Sequence, residues 1–365
     1  LVSACATPSA NHLVPQDLPP LELAQGQLEP EAAARLAPTP ELLELDAQMR
    51  AFVARYAGAE HSKRQRLLLL HRALHGPATH GIEYDPTAQG TAMETFHRGS
   101  ANCLSYANLY VALAREAGLD ARYQWLEVRP QWTRMGERVA RRLHVNVDVQ
   151  VRPDERYMVD IDPLPARDIA GSRYISDRQA QALYHNNLAM DALAEEEIET
   201  AWAHAMRAVD LAPDLGLLWV NIGAVYRHAG QHRVAEASYL QALALNDADR
   251  SAINNLMVLY GLEGNLEQEV YWAQRLARYR DTNPWYYAWL GDKAAETGDW
   301  ELARRHYEQA LALAPEEPQL LFSQGLIHRE LGLYAEAIGY LELAVAGAGL
   351  RSEANTYRRV LDATR

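Results

Sequence analysis

Cysteine is scarce in this chain of 365 residues: there are two, Cys5 and Cys103. Two thiols exclude a disulfide-rich scaffold and any structural zinc site built from cysteines. Positive charge is also short, with 35 Lys+Arg against 48 Asp+Glu and a net charge of −13. A nucleic-acid binder needs a net basic face, so nucleic acid is not expected as a partner. No apolar run reaches the roughly 18 residues of a membrane-spanning helix, and Leu67–Leu70 reads as helix core. A glycine-rich phosphate loop and a serine-nucleophile elbow are absent too. What remains, 48% hydrophobic and 23% charged residues, is ordinary globular composition, and the length suffices for two domains with separate cores.

The start of the chain gives one cysteine a reading. Val2-Ser3-Ala4-Cys5 resembles a bacterial lipobox, an aliphatic residue and two small ones before a lipid-accepting Cys. The chain opens without Met, so an upstream signal segment is expected. Ala6 stands where an inner-membrane retention signal would place Asp. The resemblance implies removal of Leu1–Ala4, a lipid anchor on Cys5 and a location on the periplasmic face of the outer membrane. Seven of the 17 prolines follow before Glu41 (Pro8, Pro15, Pro19, Pro20, Pro30, Pro38, Pro40). That density disfavours helices, so residues 1–40 are expected to be a lipobox remnant and an extended tether.

A helical pattern begins at Glu41, and a mixed region with strands runs to about residue 178. Beyond it the chain repeats every 34 residues, in five units starting near 182, 216, 250, 284 and 318. The eighth position reads Ala189, Gly223, Met257, Gly291, Gly325; the twentieth reads Ala201, Ala235, Glu269, Ala303, Ala337. Small residues at fixed phase let paired helices approach closely. The pattern resembles the tetratricopeptide repeat over 179–350, with 351–365 as a capping helix. The resemblance implies a superhelix whose concave groove holds a protein or peptide.

Chemistry concentrates between residues 97 and 162. Ser100 or Asn102 can cap a helix from about Cys103 to Ala117, which Gly118 ends. Cys103 then sits at a helix N-terminus, where the dipole favours a thiolate and its own N–H is available to an oxyanion. Leu143, Val145, Val147, Val149 and Val151 alternate with His144, Asn146, Asp148 and Gln150, a strand with one polar face. A turn at Pro153–Arg156 leads to a second strand, Tyr157–Asp162, which carries Asp160 and Asp162 on one face. Cys, His and Asp in that order make a thiol-nucleophile triad. His71 and His75 lie one helical turn apart, but Arg72 stands where a zinc-peptidase helix needs Glu. With His80 they read as packing or surface histidines, and His97 as a loop histidine near the site entrance. No metal and no cofactor is expected.

Residues 65–165 resemble the transglutaminase-like superfamily, relatives of the papain fold. The resemblance rests on Asn102-Cys103-Leu104-Ser105-Tyr106-Ala107, on Gly118-Leu119-Asp120-Ala121-Arg122, on His144-Val145 and on Tyr157-Met158-Val159-Asp160. It implies Cys103 as nucleophile, His144 as general base and then acid, and Asp160 as the residue orienting His144, with Asp162 as the alternative acid. Two departures, Ala101 for a glycine and Asn146 for an aromatic, bear on pocket shape and substrate class. The fold expected is an α+β papain/transglutaminase-like domain over 41–178, followed by an all-α tetratricopeptide superhelix. The function expected is acyl transfer from a peptide or amide bond, by hydrolysis or transamidation. The alternative is a non-catalytic envelope scaffold that docks partners through an idle version of the fold and the repeats.

Overall fold

The computed structural model describes residues 13–24, 26–128, 144–164, 169–348 and 351–365. Cys5 and the lipobox-like residues therefore lie outside the described residues. From Leu13 onward the proline-rich stretch is not a tether. It forms two 3-10 turns (Pro15–Asp17 and Pro30–Ala32), an antiparallel ribbon of β1 (Leu21–Leu23) and β2 (Gly26–Leu28), and a short helix α1 (Ala33–Leu36).

Proline prevents regular helix but not burial, and here the backbone is satisfied from outside the segment. The carbonyl of Pro19 accepts from Tyr226 Oη at 2.6 Å, and that of Pro20 from Gln231 Nε2 at 2.9 Å. Gln231 Oε1 takes the Glu22 N–H, and Gln241 Oε1 the Leu13 N–H. Leu18 and Leu21 are fully buried, so the segment is a strap lying on the repeat helices.

The α+β part begins with α2 (Ala47–Tyr56), α3 (Lys63–His75), β3 (Glu83–Tyr84), α4 (Ala92–Arg98) and β4 (Ser100–Ala101). Then come α5 (Cys103–Glu116) and the strands β5 (Asp120–Val128), β6 (His144–Arg152), β7 (Glu155–Val159) and β8 (Ile169–Ile175). The four long strands form one sheet in the order β7-β6-β5-β8, and β3 pairs in parallel with β4. Tyr123 opposes Val147 and Trp125 opposes Val145 across β5 and β6. α5 packs against β6 and is buried from Leu104 to Ala114, because Leu, Ala, Tyr and Val occupy nearly all of its circumference. The face of β6 carrying His144, Asn146 and Asp148 is buried too, which alternation alone would have left to solvent.

The rest is helical: α6 (Asp177–Ala194), α7 (Ile198–Leu211), α8 (Gly216–His228), α9 (His232–Leu245), α10 (Arg250–Leu262) and α11 (Leu266–Asp281). There follow α12 (Pro284–Glu296), α13 (Trp300–Leu313), α14 (Pro318–Glu330), α15 (Tyr334–Gly347) and α16 (Arg351–Thr364). Gly223 shows why small residues recur at one phase, since an added Cβ would stand 2.6 Å from the Tyr239 ring. The helix pairs turn through Gly230, Gly264, Gly298 and Gly332 at positive φ, and in the first pair Glu196 occupies the same place at φ 62°.

One compact unit takes in the described residues up to Leu126, those of Leu143–Pro163 and Ser172–Ala273. A second is built on Gln274–Arg365, with Tyr307, Leu320 and Ile327 in its core.

Candidate active site

Cys103 owes its position to Asn102. The Asn102 side chain accepts the Ser105 N–H at 2.8 Å and so caps α5, making Cys103 the first helical residue. The cap is itself held: Asn102 Nδ2 donates to Gln89 Oε1 at 2.8 Å, and its backbone N–H to the Ala88 carbonyl at 3.2 Å. Cys103 is half-buried. The protein around its sulfur pushes the thiol up, and the charge of Asp160 adds to this. Backbone N–H groups of Val145, Leu104 and Cys103 aim at the sulfur and oppose the shift. Burial thus outweighs the helix N-terminus, and the resting group is a thiol rather than the thiolate that the dipole alone suggests.

The Val145 N–H places the sulfur at the start of β6, next to His144. His144 is buried, with Nε2 2.5 Å from Asp160 Oδ2. Asp160 follows the last residue of β7, where Val159 opposes Val147. Its second oxygen accepts the Asp162 backbone N–H at 3.2 Å. Asp162 lies past the strand end in an exposed bend, so of the two acids Asp160 is the one against the imidazole. With Asp160 ionised, Nε2 carries the proton it donates, and Nδ1 is left as the basic nitrogen.

Side chains of α3 and α5 lie beside this set. Tyr106, one turn beyond Cys103, hydrogen-bonds His75 Nε2 at 2.9 Å and approaches His71 Nδ1 at 3.5 Å. Burial lowers both histidines, His71 to about 4, while the Asp160 charge partly offsets the shift at His75. His71 and His75 thus face α5 as neutral hydrogen-bonding groups. Their spacing showed a shared helix face, but nothing local said which element it would meet. His80 stacks edge-on to Phe96. His97 is not on a loop: it lies in the last turn of α4 and pairs with Asp46, the cap of α2. Asn146 is 1% exposed, and both its amide atoms lack a hydrogen-bond partner; Gln124, opposite it on β5, has an unsatisfied Oε1. Among the described residues no group of three or more His, Cys, Asp or Glu is placed to hold a metal ion, and no helix is long and apolar enough to cross a membrane.

Comparison with known proteins agrees with this architecture. The model of the transglutaminase-like superfamily matches residues 50–163, and tetratricopeptide-repeat models match 218–252 and 290–350. The chain is 29% identical over 137 residues to the BBSome complex member BBS4 of Bos taurus, covering 37% of this chain and 25% of that one. It is 28% identical over 136 residues to the photosystem I assembly protein Ycf3 of Synechococcus elongatus, covering 36% and 62%. It therefore spans a quarter of the first relative and less than two thirds of the second. Among solved structures, MamA aligns at 17% identity and TM-score 0.26 over 46% of this chain and 91% of that one. YrrB, described as a TPR protein with an unusual peptide-binding site, aligns at 16% and 0.25 over 49% and 92%. PilF of Pseudomonas aeruginosa aligns at 17% and 0.28 over 52% and 93%. The structural likenesses, at such scores, carry no weight for function. The chain carries a transglutaminase-like domain, residues 50–163, followed by tetratricopeptide repeats.

Proposed function

We propose that Cys103, His144 and Asp160 form a thiol acyl-transfer site acting on a peptide or amide bond, and that the repeats bind a protein or peptide partner. The observation that carries this reading is the 2.5 Å contact of His144 Nε2 with Asp160 Oδ2 beside the Cys103 sulfur. The thiol proton passes to His144 Nδ1 as sulfur adds to the carbonyl carbon, and Asp160 steadies the imidazolium. The Cys103 N–H, at the open end of α5, is suited to the developing oxyanion. Collapse breaks the C–N bond, and His144 returns the proton to the departing amine. Water or a second amine, deprotonated by His144, then resolves the thioester and restores the thiol.

A quantified library of peptide amides and isopeptides is the test. Turnover is expected in the native chain and is expected to fall by about a hundredfold or more in Cys103→Ala and Asp160→Asn. Equal turnover in Cys103→Ala overturns the assignment. The raised thiol favours a second reading, an idle fold serving as a scaffold in the cell envelope. On that reading Cys103→Ala complements a deletion strain fully, whereas charge reversals in the repeat groove do not.

We further propose that Cys5 is lipidated and anchors the chain to the periplasmic face of the outer membrane, on the strength of Val2-Ser3-Ala4-Cys5. The protein expressed with its natural leader is expected in the membrane fraction, and Cys5→Ser in the soluble one. Identical fractionation of both contradicts the anchor.

A further inference from the structure

One face of β6 carries His144, Asn146 and Asp148, and strand register fixes what stands beside each. His144 opposes Leu126 across β5, and in the next row Asn146 opposes Gln124. On the other side of β6, Val159 opposes Val147, so Asp160, one residue further on, comes beside Asn146. Cross-strand neighbours of this kind have Cβ atoms about 5 Å apart. A single polar row thus crosses the sheet: Ser172 on β8, Gln124 on β5, Asn146 on β6 and Asp160 past the end of β7.

Both ends of the row are bonded, and its middle is open. Gln124 Nε2 donates to Ser172 Oγ at 3.1 Å, which leaves Oε1 as the end of the amide away from β8. At the far end Asp160 Oδ2 meets His144 Nε2 at 2.5 Å, and Oδ1 accepts the Asp162 N–H at 3.2 Å. A carboxylate offers about four lone-pair sites, so Asp160 keeps acceptor capacity. Between these acceptors stands Asn146, 1% exposed, with Nδ2 and Oδ1 both unpartnered, and Gln124 Oε1 is unpartnered too.

A buried amide without partners costs free energy, and folded proteins keep few of them. Its neighbours give this one a use. An amide nitrogen carries two N–H donors that point apart, and here an acceptor lies on each side. An aspartate of the same shape would set a third acceptor in the row, and an aromatic residue would fill it with carbon.

We infer that Asn146 is a positioning residue for the triad, its Nδ2 bridging Gln124 Oε1 and the Asp160 carboxylate while Cys103 reacts. Asp160 is then held by three donors and cannot turn away as the imidazole takes the thiol proton. Nε2 keeps its proton on Asp160, and Nδ1 remains the base. Asn146 acts through Asp160 and not on the reacting atoms. The chemistry rests on the acyl-transfer reading, but the state of the His144–Asp160 hydrogen bond can be measured without turnover.

The test follows the proton between His144 and Asp160 in Cys5→Ser chain, as a far-downfield resonance assigned by ring-nitrogen labelling of histidine and by its loss in His144→Gln. Its exchange with solvent is expected to quicken by about tenfold or more in Asn146→Leu, less in Gln124→Leu and least in Ser172→Ala. Alkylation of Cys103 by chloroacetamide is expected to slow in the same order. Gln124→Leu added to Asn146→Leu costs little more, because one bridge is lost once. Leucine has the shape of asparagine without its buried polar atoms, and Asn146→Asp serves if leucine disturbs the packing. A merely structural role lowers the melting temperature and leaves the proton's exchange in the folded chain as it was.

Unchanged exchange in both Asn146 variants overturns the bridge and leaves the acyl-transfer reading standing. Cys103 alkylation that fails, or is indifferent to His144→Ala, counts against the acyl-transfer reading, and the exchange rate still decides the bridge. A Cys5→Ser chain without such a proton overturns the pair and the bridge together.

Discussion

Glu196 is the one non-glycine described with positive φ, 62°, at a phase where four later repeats place glycine. A side chain there sets Cβ against the following carbonyl, at a cost of roughly 1–2 kcal/mol. Glu196→Gly is therefore expected to stabilise the protein by about 1 kcal/mol, less the added freedom of the unfolded glycine. Chemical denaturation would register this as a higher midpoint at unchanged slope, and a lower midpoint contradicts it. Single residues were also where sequence reading stopped short. Cys103 and His144 were legible from local context, because a cap precedes one and a strand alternation contains the other. Asp160 and Asp162 were not separable by alternation, which puts both on one face, and the resemblance alone favoured Asp160. The strand ending at Val159 turns Asp162 outward and leaves Asp160 against the imidazole. The partnerless amide of Asn146 was equally hidden, because its burial depends on what covers the sheet.

At the scale of elements, repeat phase predicted helix starts well: α8, α10, α12 and α14 begin at 216, 250, 284 and 318. Identical spacing leaves little freedom in where helix pairs turn. The proline-rich strap was misread because proline content reports local conformation and not tertiary contact. Its last part enters a chain of hydrogen bonds. Arg207 Nε donates to Thr39 Oγ1, whose hydroxyl shares a hydrogen bond with His185 Nε2 at 2.9 Å, and His185 Nδ1 shares one with His204 Nδ1 at 2.8 Å. His185 is fully buried and lowered to about 3 by desolvation first, with the nearby His204 and Arg207 adding to it.

The neutral form is thus the folded form. Its contribution is complete above the unfolded value near 6.5 and is lost as pH falls from there toward about 3. By pH 5 the loss is about 1–2 kcal/mol after allowance for solvent screening. Melting measured at pH 7 and pH 5 should show a smaller acid-induced drop in His185→Gln than in the native chain, by about 2–4 °C per kcal/mol. An equal drop in both contradicts the role given to this chain of hydrogen bonds.

For the whole molecule, two kinds of order meet in one chain. A domain with long-range strand pairing carries the thiol, and a periodic array follows it. The array was legible almost completely because periodicity survives substitutions such as Met257 and Glu269 in a weak unit. The α+β domain was legible as a class, while its buried polar face required coordinates. The proposed function gives the two cysteines separate roles, an anchor at Cys5 and a nucleophile at Cys103, and the second is the central claim. Its most direct test is intact-mass and peptide-map analysis of Cys5→Ser chain quenched in acid after exposure to an aryl-ester acyl donor. The account predicts one acyl group, on Cys103, released by hydroxylamine, formed about a hundredfold or more slowly in His144→Ala, and absent in Cys103→Ala. An adduct that persists in Cys103→Ala, or forms at the same rate without His144, would contradict it.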